Sequence, residues 1–187
     1  MSFQATTSQT VGPYFRIGLS PLYRNEVAGL QAAGMRIRVS GRVFDGNGAV
    51  VPDALIEVWQ ANAAGRYRHP EDQGEAPLDA DFLGFGRIPT AADGSFEFRT
   101  IKPGRVAGPG GGLQAPHIVV SVLMRGILKR ALTRIYFDGE PANAGDAVLA
   151  LVPAPRRDTL MAKPDGEGHY RWDIHMQGEH ETVFFAV

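Results

Sequence analysis

Residues 35–44 read Met35-Arg36-Ile37-Arg38-Val39-Ser40-Gly41-Arg42-Val43-Phe44, an almost strict alternation of apolar and polar side chains. Successive side chains of a strand point to opposite faces, so the alternation predicts a strand with one buried and one exposed face. The following Asp45-Gly46-Asn47-Gly48 contains residue types that tolerate positive φ in tight turns. This strand and turn predict antiparallel β structure as the basis of the fold.

The same pattern continues along the chain, where the 23 glycines and 13 prolines separate short apolar runs. We predict further strands at residues 54–60, 95–101, 116–124, 133–137, 169–176 and 181–187. One short helix is expected at residues 156–162, and long loops at 61–85 and 102–114. Nothing suggests a second domain. The prediction is a single all-β domain over residues 1–187, built as a two-sheet β-sandwich with long loops and one short helix.

Composition excludes several classes of function. The 187 residues are 44% hydrophobic and 21% charged, with a net charge of −1, so no basic surface suited to nucleic acid is expected. The absence of cysteine excludes disulfides, thiolate nucleophiles and thiolate metal sites. No apolar run approaches the length of a membrane span, and no signal-peptide pattern is present. We therefore expect a cytoplasmic protein with no nucleic acid and no membrane as partners.

The segment Ala115-Pro116-His117-Ile118-Val119-Val120 has one half of a metal-binding strand. Side chains two residues apart share a face, so a His-x-His strand offers two imidazoles to one metal. Here Val119 occupies the second place, and its side chain has no lone pair to donate. The chain also carries Trp59-Gln60-Ala61-Asn62-Ala63-Ala64-Gly65-Arg66-Tyr67 and Lys102-Pro103-Gly104-Arg105-Val106.

These segments resemble the intradiol ring-cleavage dioxygenases, in which two tyrosines and two histidines hold Fe(III). Tyr67 and His117 match the first tyrosine and the first histidine. Val106 and Val119 stand where the second tyrosine and the second histidine are found, and Gln114 replaces an arginine near the reacting ring. The resemblance implies that these five vestigial ligand positions bind no metal, and that no residue of this chain alone is catalytic.

Nearly the whole chain resembles the non-catalytic alpha subunit of the two-chain enzymes in this family. It implies a hetero-oligomer with a homologous beta subunit, Fe(III) on that partner only, and an intradiol dioxygenase or transthyretin-like fold. It also implies cleavage of 3,4-dihydroxybenzoate by O2 to 3-carboxy-cis,cis-muconate in a pocket that both subunits line.

The N-terminal residues 1–34 are expected to form an arm. Their segment Thr7-Ser8-Gln9-Thr10-Val11-Gly12-Pro13-Tyr14-Phe15 is polar and has no core-facing periodicity, so a frayed terminus is an open alternative. The resemblance implies that the arm contacts the partner chain. It also implies a substrate-pocket role for five residues, namely Thr10, Gly12, Pro13, Tyr14 and Arg125.

Two alternatives remain open at this level. The first is a transthyretin-like module with a binding or structural role and no catalysis. Such modules show a similar order of motifs, namely a Gly-x-Val strand, an Asp-Gly turn, Asp-Gly-x-Phe and Lys-Pro-Gly. A homomeric dioxygenase that holds iron with unusual ligands is the second alternative.

Overall fold

The computed structural model describes residues 7–10 and 12–186. Part of the predicted arm (residues 1–6 and 11) and the last residue of the predicted strand 181–187 lie outside the described residues. The described part contains eleven strands: β1 Arg36–Phe44, β2 Leu55–Trp59, β3 Phe85–Pro89, β4 Ser95–Ile101, β5 Val106–Ala107, β6 Leu113–Gln114, β7 His117–Leu123, β8 Ala131–Phe137, β9 Met161–Pro164, β10 His169–Arg171 and β11 Ile174–His175. Two short α-helices accompany them, α1 Pro13–Leu19 and α2 Ala147–Ala150.

Strand β1 has the one-sided burial that its sequence predicts. Ile37, Val39 and Val43 are almost fully buried, and the alternate residues Arg38, Ser40 and Arg42 are exposed or half-buried. Gly41 lies on the buried face, where a Cβ atom would sit 1.7 Å from the carbonyl oxygen of Trp172. Only glycine therefore permits the chain after β10 to cross β1 this closely.

Nine of the strands form one continuous sheet, which differs from the two separate sheets predicted. Strand β1 pairs antiparallel with β4 and parallel with β10 and β11. From β10 the hydrogen bonds continue through β9, β8, β7 and β2 to β3. Strand β9 makes the link, since it pairs with β8 on one side and β10 on the other. The all-β class is confirmed, and the division into two sheets is not.

The two edge strands of this sheet are bridged by the chain that precedes β1. Arg24 exchanges backbone hydrogen bonds with Arg87 of β3, at 2.9 and 2.8 Å. Arg99 of β4 pairs in the same way with the neighbouring backbone, donating to Asn25 and accepting from Val27. The sheet is therefore nearly barrel-shaped. Within the range 1–34 assigned to an arm, Arg24, Asn25 and Val27 therefore belong to the body.

The main core fills the space between the two halves of the sheet. It combines inward residues of β1 and β4 with those of β2, β7 and β8, including Val39, Phe98, Ile56, Val120 and Ile135, all fully buried. Burying side chains of this size contributes about 1.5–3 kcal/mol each relative to exposure. A second cluster lies on the other face of β8, where Tyr136 packs under α2 and Leu160. That outer face carries the candidate site.

The helix predicted at residues 156–162 is found in part. A 3-10 helix occupies Ala154–Leu160, but Met161 begins β9. Met161 and Ala162 pair in parallel with Tyr136 and Phe137 of β8, so sheet hydrogen bonds replace the helical ones. The apolar run 160–162 leads into a strand that lies between two neighbouring strands, β8 and β10. The two α-helices of the described part were not predicted.

The remaining differences concern short strands. Strand β3 was not predicted, and the loop 102–114 contains the two-stranded ribbon of β5 and β6. In the predicted strand 181–187, the described residues make only an isolated bridge from Phe185 to Leu132. Among the described residues, no helix is long and apolar enough to cross a membrane.

Candidate functional site

Three of the five predicted substrate-pocket residues begin the helix α1. Gly12 is its N-cap and Pro13 its first residue, a position that proline favours because its missing N–H would be unpaired there anyway. Tyr14 follows and is 83% exposed. The helix is held by Arg16, whose Nη1 and Nη2 donate to the carbonyl oxygens of Pro52 (2.6 Å) and Thr90 (2.9 Å). The exposed phenol of Tyr14 is thus presented from a fixed helix.

The other two predicted pocket residues meet at the turn after β7. The hydroxyl oxygen of Thr10 accepts a hydrogen bond from the backbone N–H of Gly126 at 3.1 Å, which ties the arm to the turn that carries Arg125. The Arg125 side chain is 69% exposed, and its Nε lies 3.5 Å from Asp53 Oδ2. The other carboxylate oxygen, Oδ1 of Asp53, is buried without a hydrogen-bond partner in the described part of the chain. The structure therefore brings Thr10 and Arg125 together.

The five vestigial ligand positions converge at the opposite end of β7. Tyr67 lies in the loop after β2, and its ring stacks parallel to that of Trp59 with centroids 5.8 Å apart. Val106 of β5 pairs with Gln114 of β6. His117 begins β7 and is 4% exposed, and Val119 lies across from Trp59 in the sheet. Strand β7 rises about 3.3 Å per residue, so this end lies roughly 20 Å from the end that leads to Arg125.

Both potential donors in this cluster are neutral near pH 7. Burial raises the pKa of the Tyr67 phenol above its ordinary value, which the nearby positive charge of Arg134 only partly offsets. Burial, followed by the charge of Arg134, lowers the pKa of His117 to about 4. The His117 Nδ1 is 2.8 Å from the carbonyl oxygen of Ala115, which suits an N–H donor at that nitrogen.

Arg134 is the member of this site that the sequence analysis missed. It lies on β8 directly across from Val119, so Trp59, Val119 and Arg134 form one row over three strands. Its Nη1 donates to Gln114 Oε1 at 2.7 Å and to the hydroxyl oxygen of Tyr136 at 3.3 Å. The available signal was a charged residue directly before the apolar run Ile135-Tyr136-Phe137 in a predicted strand. Its partner could not be identified from sequence, because it depends on strand register.

A chain of polar contacts continues from Arg134 into the body. The Tyr136 hydroxyl donates to Asp146 Oδ1 at 3.2 Å, and Asp146 Oδ2 accepts from the backbone N–H of Ala115 at 2.7 Å. Burial, as the main cause, raises the pKa of Tyr136 to about 12, so its phenol keeps its proton. Asp146 also caps α2 by accepting from Val148 and Leu149. These contacts fix the orientation of the guanidinium.

The donor set does not fit ferric iron. Fe(III) requires anionic ligands, and among these positions only Tyr67 could supply one, by releasing its phenol proton on binding, while the two valines have no lone pairs. The guanidinium of Arg134 adds a positive charge at the place where a ferric site would need negative charge. Within residues 7–10 and 12–186, no cluster of three or more His, Asp or Glu side chains is arranged to hold a metal ion.

An open pocket of about 550 Å³ lies beside the vestigial positions. The aromatic rings of Trp59 and Tyr67 form one wall, and Val106 and Ala107 form another. Asp72 and His69 complete the polar part of the lining. The space suits a planar, largely apolar ligand.

Comparison with known proteins identifies what this architecture is similar to. A family model described as "Dioxygenase" matches residues 11–178. The chain is 46% identical to a protocatechuate 3,4-dioxygenase alpha chain from Burkholderia cepacia, over 100% of this chain and 99% of the relative. It is 42% identical to the beta chain from the same organism, over 86% of this chain and 72% of the relative.

Among solved structures, the dioxygenase domain of a carbohydrate-binding fusion protein from Streptomyces sp. SirexAA-E is similar, with a TM-score of 0.62 and 29% identity. The match covers 96% of this chain and 100% of that one.

Proposed function

Because this chain belongs to the intradiol dioxygenase family, we propose that it acts as the alpha chain of a two-chain protocatechuate 3,4-dioxygenase, paired with a homologous beta chain. The family uses Fe(III), and in this proposal the iron is held by the beta chain alone. The reaction is O2-dependent intradiol cleavage of 3,4-dihydroxybenzoate to 3-carboxy-cis,cis-muconate. A cysteine-free chain of this kind fits a cytoplasmic location.

One observation carries the assignment of a supporting role. The positions at which this chain resembles the iron ligands hold two valines, a protonated tyrosine, a neutral histidine and, beside them, a guanidinium. Such a set offers a ferric ion at most one anionic donor, the Tyr67 phenolate, and one imidazole. This shortage of ligands supports placing the iron-dependent chemistry on another chain.

The patch formed by Thr10, Gly12, Pro13, Tyr14 and Arg125 is the surface that we assign to the shared substrate pocket. Two of its side chains are largely exposed, Tyr14 at 83% and Arg125 at 69%. A guanidinium suits the carboxylate of 3,4-dihydroxybenzoate, and a phenol offers an aromatic wall with a polar tip. The Thr10 to Gly126 hydrogen bond supports the idea that the arm and Arg125 act on one ligand.

The decisive experiment expresses this chain alone and together with its beta homologue. We expect a stable complex with equal numbers of the two chains, one iron per pair and ring cleavage measured by O2 uptake. This chain alone should contain no stoichiometric iron and show no cleavage.

Stoichiometric iron and activity in the isolated chain would establish a homomeric dioxygenase with unusual ligands instead. A homo-oligomer that does not associate with the beta homologue would favour the transthyretin-like binding module.

A further inference from the structure

Arg134 has no carboxylate partner, in contrast to comparable arginines of this chain. Among the half-buried arginines of the described part, Arg66 and Arg87 pair with Asp72 and Glu57. Arg16 and Arg157 donate to backbone carbonyls from two nitrogens each. Arg134 uses only Nη1, so its Nε and Nη2 meet no acceptor among the residues that the structure describes. Neither nitrogen is fully enclosed by the described residues, so an external acceptor can reach both.

The guanidinium of Arg134 lies near the aromatic pocket without lining it, and its carbon stands 5.9 Å from the centroid of the Phe185 ring. It belongs to the same sheet row as Trp59, and adjacent strands are about 4.8 Å apart, which places the two residues roughly 10 Å from one another. Val119, between them, presents only a small apolar side chain. Gln114 joins the guanidinium to the pocket wall, because its Oε1 accepts from Arg134 and its Nε2 donates to the carbonyl oxygen of Ala107 at 2.9 Å.

The remaining charges of the pocket do not oppose an anion. Asp72 is the one acidic residue that lines it. Its carboxylate accepts from the backbone N–H groups of Tyr67 and Gly74, both at 2.7 Å, and lies 3.3 Å from Arg66 Nε. That negative charge is already compensated. Asp146 contacts Arg134 only through the Tyr136 hydroxyl.

We propose that this pocket binds a monocyclic aromatic carboxylate, with Arg134 receiving the carboxylate and the stacked Trp59 and Tyr67 rings contacting the aromatic ring. The guanidinium matches a carboxylate in geometry and charge, and the flat aromatic wall matches the ring. This site is separate from the Arg125 patch, and it takes part in binding without catalysis. The proposal rests on this chain's own residues and holds whether or not a beta chain is present.

The test is equilibrium dialysis of radiolabelled benzoate with the purified protein in its native assembly. We expect one saturable site per copy of this chain in addition to any site at the Arg125 patch. Arg134→Gln should weaken that site about tenfold or more, as expected for loss of a charge-assisted hydrogen bond. Arg134→Lys, which keeps the charge without the fork geometry, should bind with intermediate affinity. Uncharged benzamide should not compete.

Arg130→Gln is the matched control, since Arg130 is exposed and distant from the pocket along β8. Circular dichroism and thermal melting confirm that each variant is folded. The proposal is overturned by unchanged benzoate binding in folded Arg134→Gln, by equal competition from benzamide, or by no saturable site in the folded wild-type protein. Iron content and ring cleavage are measured separately, so failure of the proposed function has a different signature.

Discussion

Arg134 places a positive charge within range of both Tyr67 and His117, and the charge lowers the pKa of each. For Tyr67 the effect is smaller than that of burial, so the phenol stays protonated. For His117 the two effects add, because burial and a neighbouring cation both disfavour the imidazolium. Arg134 therefore helps to keep the His117 imidazole neutral, while burial keeps the Tyr67 phenol protonated.

At the residue scale, we expect Arg125→Ala to lower kcat/KM of the two-chain enzyme for 3,4-dihydroxybenzoate about tenfold or more. Loss of a charge-assisted hydrogen bond to a carboxylate costs about 1.5–3 kcal/mol. Steady-state O2 uptake measures the effect. Arg130→Ala removes an equally exposed arginine of the same loop and should leave the kinetics unchanged. Wild-type kinetics for Arg125→Ala would remove this residue from the shared pocket.

His117 makes the stability of the isolated chain depend on pH. Its pKa is about 4 in the folded protein and about 6.5 when unfolded, so the unfolded state binds more protons between these values. Stability is fully present above pH 6.5 and is lost as pH falls toward 4. From pH 7 to pH 5 we expect a loss of about 2 kcal/mol from this residue. Urea unfolding at both pH values measures it, and His117→Asn should show a correspondingly smaller loss.

At the element scale, the two α-helices form where local capping is good and hydrophobic periodicity is weak. Helix α1 begins with Gly12 and Pro13, and α2 begins with the capping carboxylate of Asp146. Neither is long enough to be stable alone in water. Their positions depend on contacts with distant segments, such as the hydrogen bonds from Arg16 to the loop before β2 and to Thr90. Hydrophobic periodicity along the sequence does not indicate such long-range contacts.

Asp146 joins α2, the segment just before β7 and the outer face of β8. It is 1% exposed and accepts from three backbone N–H groups and the Tyr136 hydroxyl. Asp146→Ala leaves these buried donors without acceptors, and we expect a loss of about 3 kcal/mol in the free energy of unfolding. Urea denaturation measures the change.

Asp158→Ala is the comparison, because Asp158 is exposed and pairs only with an exposed lysine. Its effect should be within about 0.5 kcal/mol. A similarly small effect for Asp146→Ala would show that this carboxylate does not hold the three elements together.

At the scale of the whole molecule, the barrel separates two surfaces with different chemistry. One end of β7 carries the arm, Thr10 and Arg125, and the other carries Tyr67, His117 and Arg134. The arm is attached to the body through a few polar contacts, whereas Val27, just before β1, belongs to the main core. The body is therefore expected to fold without the arm.

Deletion of residues 1–19 tests this division. None of the described residues in this range belongs to a core cluster, so we expect the thermal midpoint to change by only a few degrees, consistent with the loss of about 1 kcal/mol. The kcat/KM of the two-chain enzyme should fall by more than tenfold, because Thr10 and Tyr14 are lost. Arg16→Ala, which releases α1 but retains both residues, should be intermediate. Full activity of the deleted protein would contradict a role for the arm in the pocket.

Strand prediction from sequence was most successful where burial is one-sided. Alternation identified β1 and β4 because each has one face in the core. The predicted helix extends two residues too far, into β9, because Leu160, Met161 and Ala162 form an apolar run that either element can contain. The sheet itself is continuous because β9 pairs on both edges, which is a long-range property.

For the candidate site too, some properties depend on residue type alone and others on long-range pairing. The sequence by itself determined that Val106 and Val119 cannot donate to a metal, since this depends only on the chemistry of their side chains. Only the tertiary structure decided that Arg134 faces Val119, that Thr10 contacts the turn of Arg125, and that these two groups lie at opposite ends of β7. Side-chain identity is local, but strand register and barrel closure arise from hydrogen bonds between segments far apart in the chain.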